Sequence, residues 1–522
     1  MDASLPELWR EAFRRDLTEP PALPDPLPER RLARLLAAYI VAGLVFLVLP
    51  GTVLGVWNLV GISSQRQLAG VSAAWIQAHG HAQFFGWVGT FIIGISLYTL
   101  PKFRGSMCRS VRLGWVLWVL WTGGVGLRWA VGIAGAGHPA AFRVSAAMEL
   151  VAGVLLLWQV TPAGPKHKKG QAWELPVFSG LTALVAVLGW QLWLSMWALD
   201  GAGVAAEPDR ALISVAIWGF ALPVVVGYCA KFFAGLLGAA PVSKSGLRGM
   251  VALAGVAAAG FVANSTVVAG AGCCGAVALA WRALRLFHAP VGTPKTTGVY
   301  RRYPAFARLA YAWLGVAALL GLGVARPGML GASRHAFTVG FLATLIFAIG
   351  PRILPSFLNS RELWSARLMQ GALWILTGGC TLRVVCEPLA YGGLVPAAWK
   401  VLPISAFAEL TAVLVFALNL AMSLATPVPS WFGRKHVHDG MSVYWLVASY
   451  PGTRKVLVAG GLATLAHARQ IPKSLSLREA AQADGVPSAA LVEQLGDFFE
   501  ARRPRSLRQP RRTSESMRST KR

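Results

Sequence analysis

Apolar residues along this chain gather into near-solid blocks of about 20 residues, long enough to cross hydrocarbon as helix. Twelve blocks can be read, over 34–56, 76–100, 112–134, 142–161, 175–199, 210–238, 249–270, 272–289, 307–328, 334–355, 366–388 and 401–425. Each predicts one membrane-spanning helix. The seventh and eighth are separated by almost nothing. After Pro427 the pattern changes. Residues 438–501 read as a small soluble helical domain, with Ser476 as an N-cap, Glu479 at its capping-box position and Ser488 as the cap of a last helix through Phe499. The expected fold is therefore all-α: a polytopic bundle of about twelve spans with a small helical C-terminal domain. Its expected parts are a cytoplasmic N-terminal segment (1–33), a membrane domain (34–426), the helical domain (438–501) and a basic disordered tail (502–522).

Composition fits this reading. Of 522 residues, 55% are hydrophobic and 14% charged, against roughly 25% charged in an ordinary soluble protein. Trp occurs 21 times and Gly 56 times, as suits interfacial anchoring and close helix packing. A soluble enzyme, a disordered scaffold and a secreted disulfide protein are excluded. The first 31 residues have no apolar core and do not form a signal peptide. The six cysteines lie in or beside apolar blocks without zinc-finger spacing and read as reduced, buried thiols.

Lys and Arg outnumber Asp and Glu by 49 to 22. In a membrane protein that excess marks cytoplasmic loops. Even-to-odd connections hold Lys102, Arg104 and Arg109, then Lys166 to Lys169, then Lys244 and Arg248, then Arg301 and Arg302, then Arg361 and Arg367. The opposite connections are short or acidic, with Asp200, Glu207 and Asp209. The chain is therefore expected in the inner (cytoplasmic) membrane with both termini on the cytoplasmic side. The tail 502–522, with nine basic residues and one acid, is expected to meet anionic lipid; nucleic acid is not an expected partner.

A long-range repeat carries the chemistry. Residues 81–103, HAQFFGWVGTFIIGISLYTLPKF, match 335–357, HAFTVGFLATLIFAIGPRILPSF, so His81 aligns with His335, Thr90 with Thr344 and Pro101 with Pro355. TGGVGLR (122–128) likewise matches TGGCTLR (377–383). Spans one to four thus correspond to spans nine to twelve. Spans two and ten are both even-numbered and run the same way, which puts their histidines at one depth in the outer half of the bundle. Two imidazoles so placed can ligate one haem iron from both faces. The competing reading is a pair of hydrogen-bonded structural histidines near a wet interface. His79 and His81 are about 200° apart round a helix, so one alone faces span ten. The repeat selects His81; His79 turns elsewhere or lies before the helix begins. Arg128 and Arg383, equivalent in the repeat, are candidates to pair haem propionates. Their alternative partners are Glu149 and Glu409.

These residues also carry a family resemblance. AHGHAQFFGW, the span ending LYTLPKF and RHAFTVGFLATLIFAIGPR resemble the NnrS family over about residues 34–425. That resemblance implies a twelve-span protein containing b-type haem and copper, associated with nitric oxide and nitrosative stress. HGHAQFFGW is more distantly similar to the second helix of haem–copper oxidase subunit I, and the His335 helix to its tenth; that similarity implies three four-helix arcs and favours His79 as the haem ligand on span two. Both His79 and His81 stay open. Ser333 stands where the oxidases have a second histidine, and the sixth span carries none, so their binuclear site is absent. PRILPSFLNSRE also lacks the histidine that the NnrS pattern places there. Residues 443–495 resemble a small helical domain of unknown function, also attached to di-iron cluster-repair proteins, without its cysteines.

The expectation is a bis-histidine haem protein with an electron-transfer, sensing or protective role in the nitric-oxide response, served by a redox partner whose identity is open. Whether it turns over a substrate is also open. The alternative is a transporter or channel, for which Pro223 in span six is the single evident interruption.

Overall fold

The computed structural model describes residues 5–18, 26–104, 108–135, 137–161, 171–198, 203–357, 363–424 and 436–501. The basic tail and the segment round Pro427 lie outside them. Among the described residues the chain is all-α, and twelve helices are long and apolar enough to cross a membrane. They are Glu29–Gln65, Ala73–Phe103, Val111–Ala134, Pro139–Val160, Glu174–Met196, Ala206–Leu237, Lys244–Val262, Thr266–Leu284, Tyr303–Gly321, Met329–Pro355, Ala366–Tyr391 and Ala398–Leu424, numbered spans 1 to 12. Each corresponds to one apolar block of the sequence. Their exposed shell is itself apolar, with Trp57, Trp193 and Phe407 all more than half exposed, as suits contact with lipid.

Span 7 stops earlier than its apolar block. Asn264 turns the chain at φ 52°, and Ser265 caps span 8 by accepting from the Val268 amide, so the break falls at 263–265 and not near 270. The two spans then pack backbone to backbone. A Cβ at Gly260 would overlap the Ala269 amide, and one at Gly272 would lie 2.5 Å from the Ala257 nitrogen.

Four spans are locally π-helical: span 1 over Leu47–Val53, span 2 over Ala82–Gly89, span 6 over Ala216–Ala221 and span 10 over Ala336–Ala343. A π turn arises where the i→i−4 ladder slips to i→i−5. Proline drives that slip in spans 1 and 6, where Pro50 lies inside the segment and Pro223 just after it. In spans 2 and 10 a threonine supports it. Thr90 sends both its amide and its hydroxyl to the Phe85 carbonyl, and Thr344 does the same to Val339.

The repeat extends to hydrogen bonds. Ser110 caps span 3 and exchanges two bonds with the Gln159 carboxamide; Ser365 caps span 11 and does the same with Asn419. Gly124 packs on Ser145 and Glu149, and Gly379 packs on Ser405 and Glu409.

The chain divides into two compact units. One contains Leu35–Ile353 and Ser365–Ala421. The other joins the described parts of Met1–Arg34, Leu354–Trp364 and Met422–Arg522. In this second unit the helix Glu7–Thr18 inserts Trp9 and Ala12, both fully buried, among Leu446, Leu457, Leu477 and Phe499. The N-terminal segment is thus built into the C-terminal domain, a pairing the sequence reading does not contain. Ser476 and Glu479 form the expected capping box. Ser488 does not cap the last helix; it is the first helical residue, and Pro487 occupies the cap. Proline at 487 holds an extended backbone there, so the helix starts without a side-chain cap.

Candidate functional site

The site residues all lie on spans of the larger unit. Helix Ala73–His81 includes both histidines of span 2, so His79 lies within the helix and not before it. Immediately afterwards the π segment begins, and in span 10 the π segment likewise begins right after His335. π-helical turns concentrate at functional sites because they redirect side chains without ending the helix.

The three imidazoles differ in which nitrogen is engaged. His79 Nδ1 lies 2.9 Å from the Gly51 carbonyl of span 1. His335 Nδ1 lies 2.9 Å from the Gly331 carbonyl, four residues earlier on its own helix. A carbonyl only accepts, so each of these Nδ1 atoms carries the hydrogen and, in the neutral ring, Nε2 keeps its lone pair. Neither Nε2 makes a hydrogen bond among the described residues. His81 is arranged the other way. Its Nε2 faces Glu149 Oε1 at 3.0 Å, in a pair where both side chains are nearly fully buried. Gln191 Nε2 donates to the other oxygen of Glu149 at 3.2 Å.

Glycines make room for this arrangement. A Cβ at Gly55 would lie 2.5 Å from His79 Cε1, and one at Gly331 would overlap Glu387 Oε1. Ile76 of span 2 packs in one apolar cluster with Cys386 and Leu389 of span 11, and Glu387 of span 11 lies 3.7 Å from His335 Nδ1 of span 10, which brings the three spans together here.

Neither arginine takes its expected glutamate as a direct partner. Arg128 stacks on Phe142, with its guanidinium carbon 3.8 Å from the ring centre, and Glu149 is committed to His81 and Gln191. Arg383 Nε approaches Glu387 Oε2 at 3.3 Å, an ion-pair contact without hydrogen-bond geometry. Glu387 also lies 3.7 Å from His335 Nδ1. It is a site residue absent from the sequence reading, although its i+4 spacing from Arg383 on one helix is a readable signal.

Several of these buried atoms are left without a hydrogen bond: Arg128 Nε, Arg383 Nε and Nη1, Glu387 Oε2 and Glu409 Oε1. Unsatisfied groups of this kind cost about 1–3 kcal/mol each, more when charged, and a cluster of them calls for a polar group to meet them. Two histidines with free Nε2 atoms, and buried guanidinium groups with unsatisfied nitrogens on Arg383 and Arg128, are donors of the kind haem takes: rings for iron and arginines for propionates. They do not make a copper cage. Among the described residues no three His, Cys, Asp or Glu side chains gather closely enough to hold a metal ion by themselves.

No family model matches this chain, and no curated protein matches it.

Proposed function

We propose that this is a haem protein of the membrane, in which His79 of span 2 and His335 of span 10 would hold the iron and Arg128 and Arg383 would pair with the propionates. The observation that carries the reading is the shared hydrogen-bond pattern of the two rings. Each gives its Nδ1–H to a backbone carbonyl, the outer-shell bond that orients a metal-ligating histidine and leaves Nε2 available. Held by two imidazoles, a haem would supply one-electron transfer here. The residues' own work is to fix ring direction, exclude water and place positive charge where the propionates lie. The NnrS resemblance sets this chemistry in the nitric-oxide response, and the loop charges set it in the outer half of the inner membrane, with both termini cytoplasmic and the tail on anionic lipid. Copper is left out of the proposal, since the described donors do not gather for it.

The experiment is a reduced-minus-oxidised absorbance spectrum with haem content per chain, on wild type and His335→Ala purified from membranes. Wild type should show a six-coordinate low-spin spectrum, and His335→Ala should lose most of its haem. An unchanged spectrum and stoichiometry in the variant would sink the bis-histidine reading. A wild type without haem would return the chain to the transporter reading, for which the interrupted spans 1, 2, 6 and 10 are the supporting feature.

A further inference from the structure

The smaller unit holds an open cavity of about 520 Å³ whose lining carries four cationic side chains, Arg30, Arg454, Arg469 and Lys473, against one carboxylate, Asp16. Among the described residues Arg30, Arg454 and Arg469 make no ion pair. Arg30 Nη1 donates to the Ala448 carbonyl at 2.5 Å, and Arg454 Nη2 donates to the carbonyls of Leu465 at 2.8 Å and Ala468 at 3.0 Å. A carbonyl has no formal charge, so these bonds fix the guanidinium groups in place and leave their charge uncancelled. The Asp16 carboxylate accepts the backbone amides of Lys473 at 2.5 Å and Ser474 at 2.8 Å and keeps its charge, so it offsets one of the four cations. Arg469 is exposed and makes no ion pair among the described residues. The rest of the wall is apolar or aromatic, from Phe13, Val447, Ile471 and Tyr444, with the Lys473 ammonium 5.8 Å from the centre of the Tyr444 ring.

Two guanidinium groups held by carbonyls, with Arg469 and Lys473 in the same lining beside an apolar wall, match a phosphate group carried on a partly apolar molecule. We propose that this cavity binds such a phosphate-bearing anion, held by Arg30, Arg454, Arg469 and Lys473. Arg30 gives the site a consequence, because it lies in the first turns of the helix that continues as span 1, so the bound phosphate grips the root of a membrane helix. The same chemistry has two sources, a phospholipid headgroup and a soluble phosphate compound.

The test uses the full chain in nanodiscs. Inorganic pyrophosphate is titrated by calorimetry into protein held in phosphatidylcholine discs. In parallel, native mass spectrometry counts phosphatidylglycerol retained from mixed phosphatidylglycerol and phosphatidylcholine discs. Arg469→Glu and Arg469→Gln are the variants, chosen because Arg469 is exposed and its loss leaves the core intact. A soluble ligand predicts saturable pyrophosphate binding, weakened at least tenfold by Arg469→Glu and less by Arg469→Gln. A lipid headgroup predicts no pyrophosphate binding but preferential retention of phosphatidylglycerol in wild type, lost in Arg469→Glu. If neither probe distinguishes wild type from Arg469→Glu at equal thermal stability, the cavity is not a phosphate site.

Discussion

His79 donates from Nδ1 to the Gly51 carbonyl, whereas His81, two residues on, turns Nε2 toward Glu149. The repeat aligns His81 with His335, but alignment reports backbone position and not which ring nitrogen is free. That depends on the acceptor each ring meets: a carbonyl of span 1 for His79, and a carboxylate of span 4 for His81. His79→Ala should therefore remove most of the haem. His81→Ala should keep the haem spectrum and instead lower the thermal stability by about 1–3 kcal/mol, because it strips a hydrogen bond from a buried carboxylate. Haem content and unfolding of the two variants decide the matter, and haem loss confined to His81→Ala would reverse the assignment. The arginines allow a second expectation. Replacing Arg128 or Arg383 by Gln removes a positive charge near the haem, which favours the oxidised iron and lowers the midpoint potential. At about 10 Å and an effective dielectric near 20 the effect is on the order of 1 kcal/mol, or tens of millivolts. Redox titration of both variants measures it, and potentials equal to wild type in both would remove the arginines from the haem site.

The helices themselves were legible because hydropathy alone decides where a chain can span lipid, and each of the twelve blocks corresponds to a span. The π segments were not. They follow from a one-residue slip of the ladder, which the apolar pattern does not encode, even though Thr90 and Thr344 are repeat partners in plain view. The glycines beside the histidines belong to this scale too, since a glycine's value depends on what a neighbouring span presses against it. Gly55→Ala should place a methyl against the His79 ring, 2.5 Å from Cε1, and force the imidazole off its carbonyl. The expected result is a several-fold fall in haem occupancy with the protein still assembled in the membrane fraction. Gly126→Ala, where a Cβ meets nothing within 4 Å, is the matched control. Equal occupancy in Gly55→Ala and this control would show that the His79 ring position does not matter.

Taken as a whole, the chain repeats its devices every four spans. π segments interrupt spans 2, 6 and 10, and capping serines Ser110, Ser243 and Ser365 begin spans 3, 7 and 11. The sequence match links spans 1 to 4 with spans 9 to 12; spans 6 and 7 share the π segment and the capping serine but contain no histidine, so the repeat does not show in their sequence. The second unit is built from both ends of the chain. Its stability should depend on pH through Glu479. Partial burial pushes that carboxyl up, but bonds from the Ser476 amide and hydroxyl and from Arg15, at 2.7 Å, hold it below the usual range. A depressed folded value means the stabilisation is complete above the range of a free glutamate and is lost as pH falls through the lower folded value, so the helix Glu7–Thr18 should loosen in acid below the free-glutamate range. The larger anchor is Trp9. It is fully buried in the core of the C-terminal domain, and truncation to alanine should cost about 3–5 kcal/mol. Trp9→Ala should therefore free the N-terminal helix while the membrane spans stay folded. Trp9→Phe should be much milder, because the indole nitrogen makes no hydrogen bond in this core and most of the apolar contact is kept. Hydrogen exchange on the full-length protein reads the result directly. Amides of 7–18 should lose protection in Trp9→Ala and keep it in Trp9→Phe, with those of 477–483 weakened in parallel. Unchanged protection of 7–18 in Trp9→Ala would mean that the two ends of the chain are held together by something other than this core.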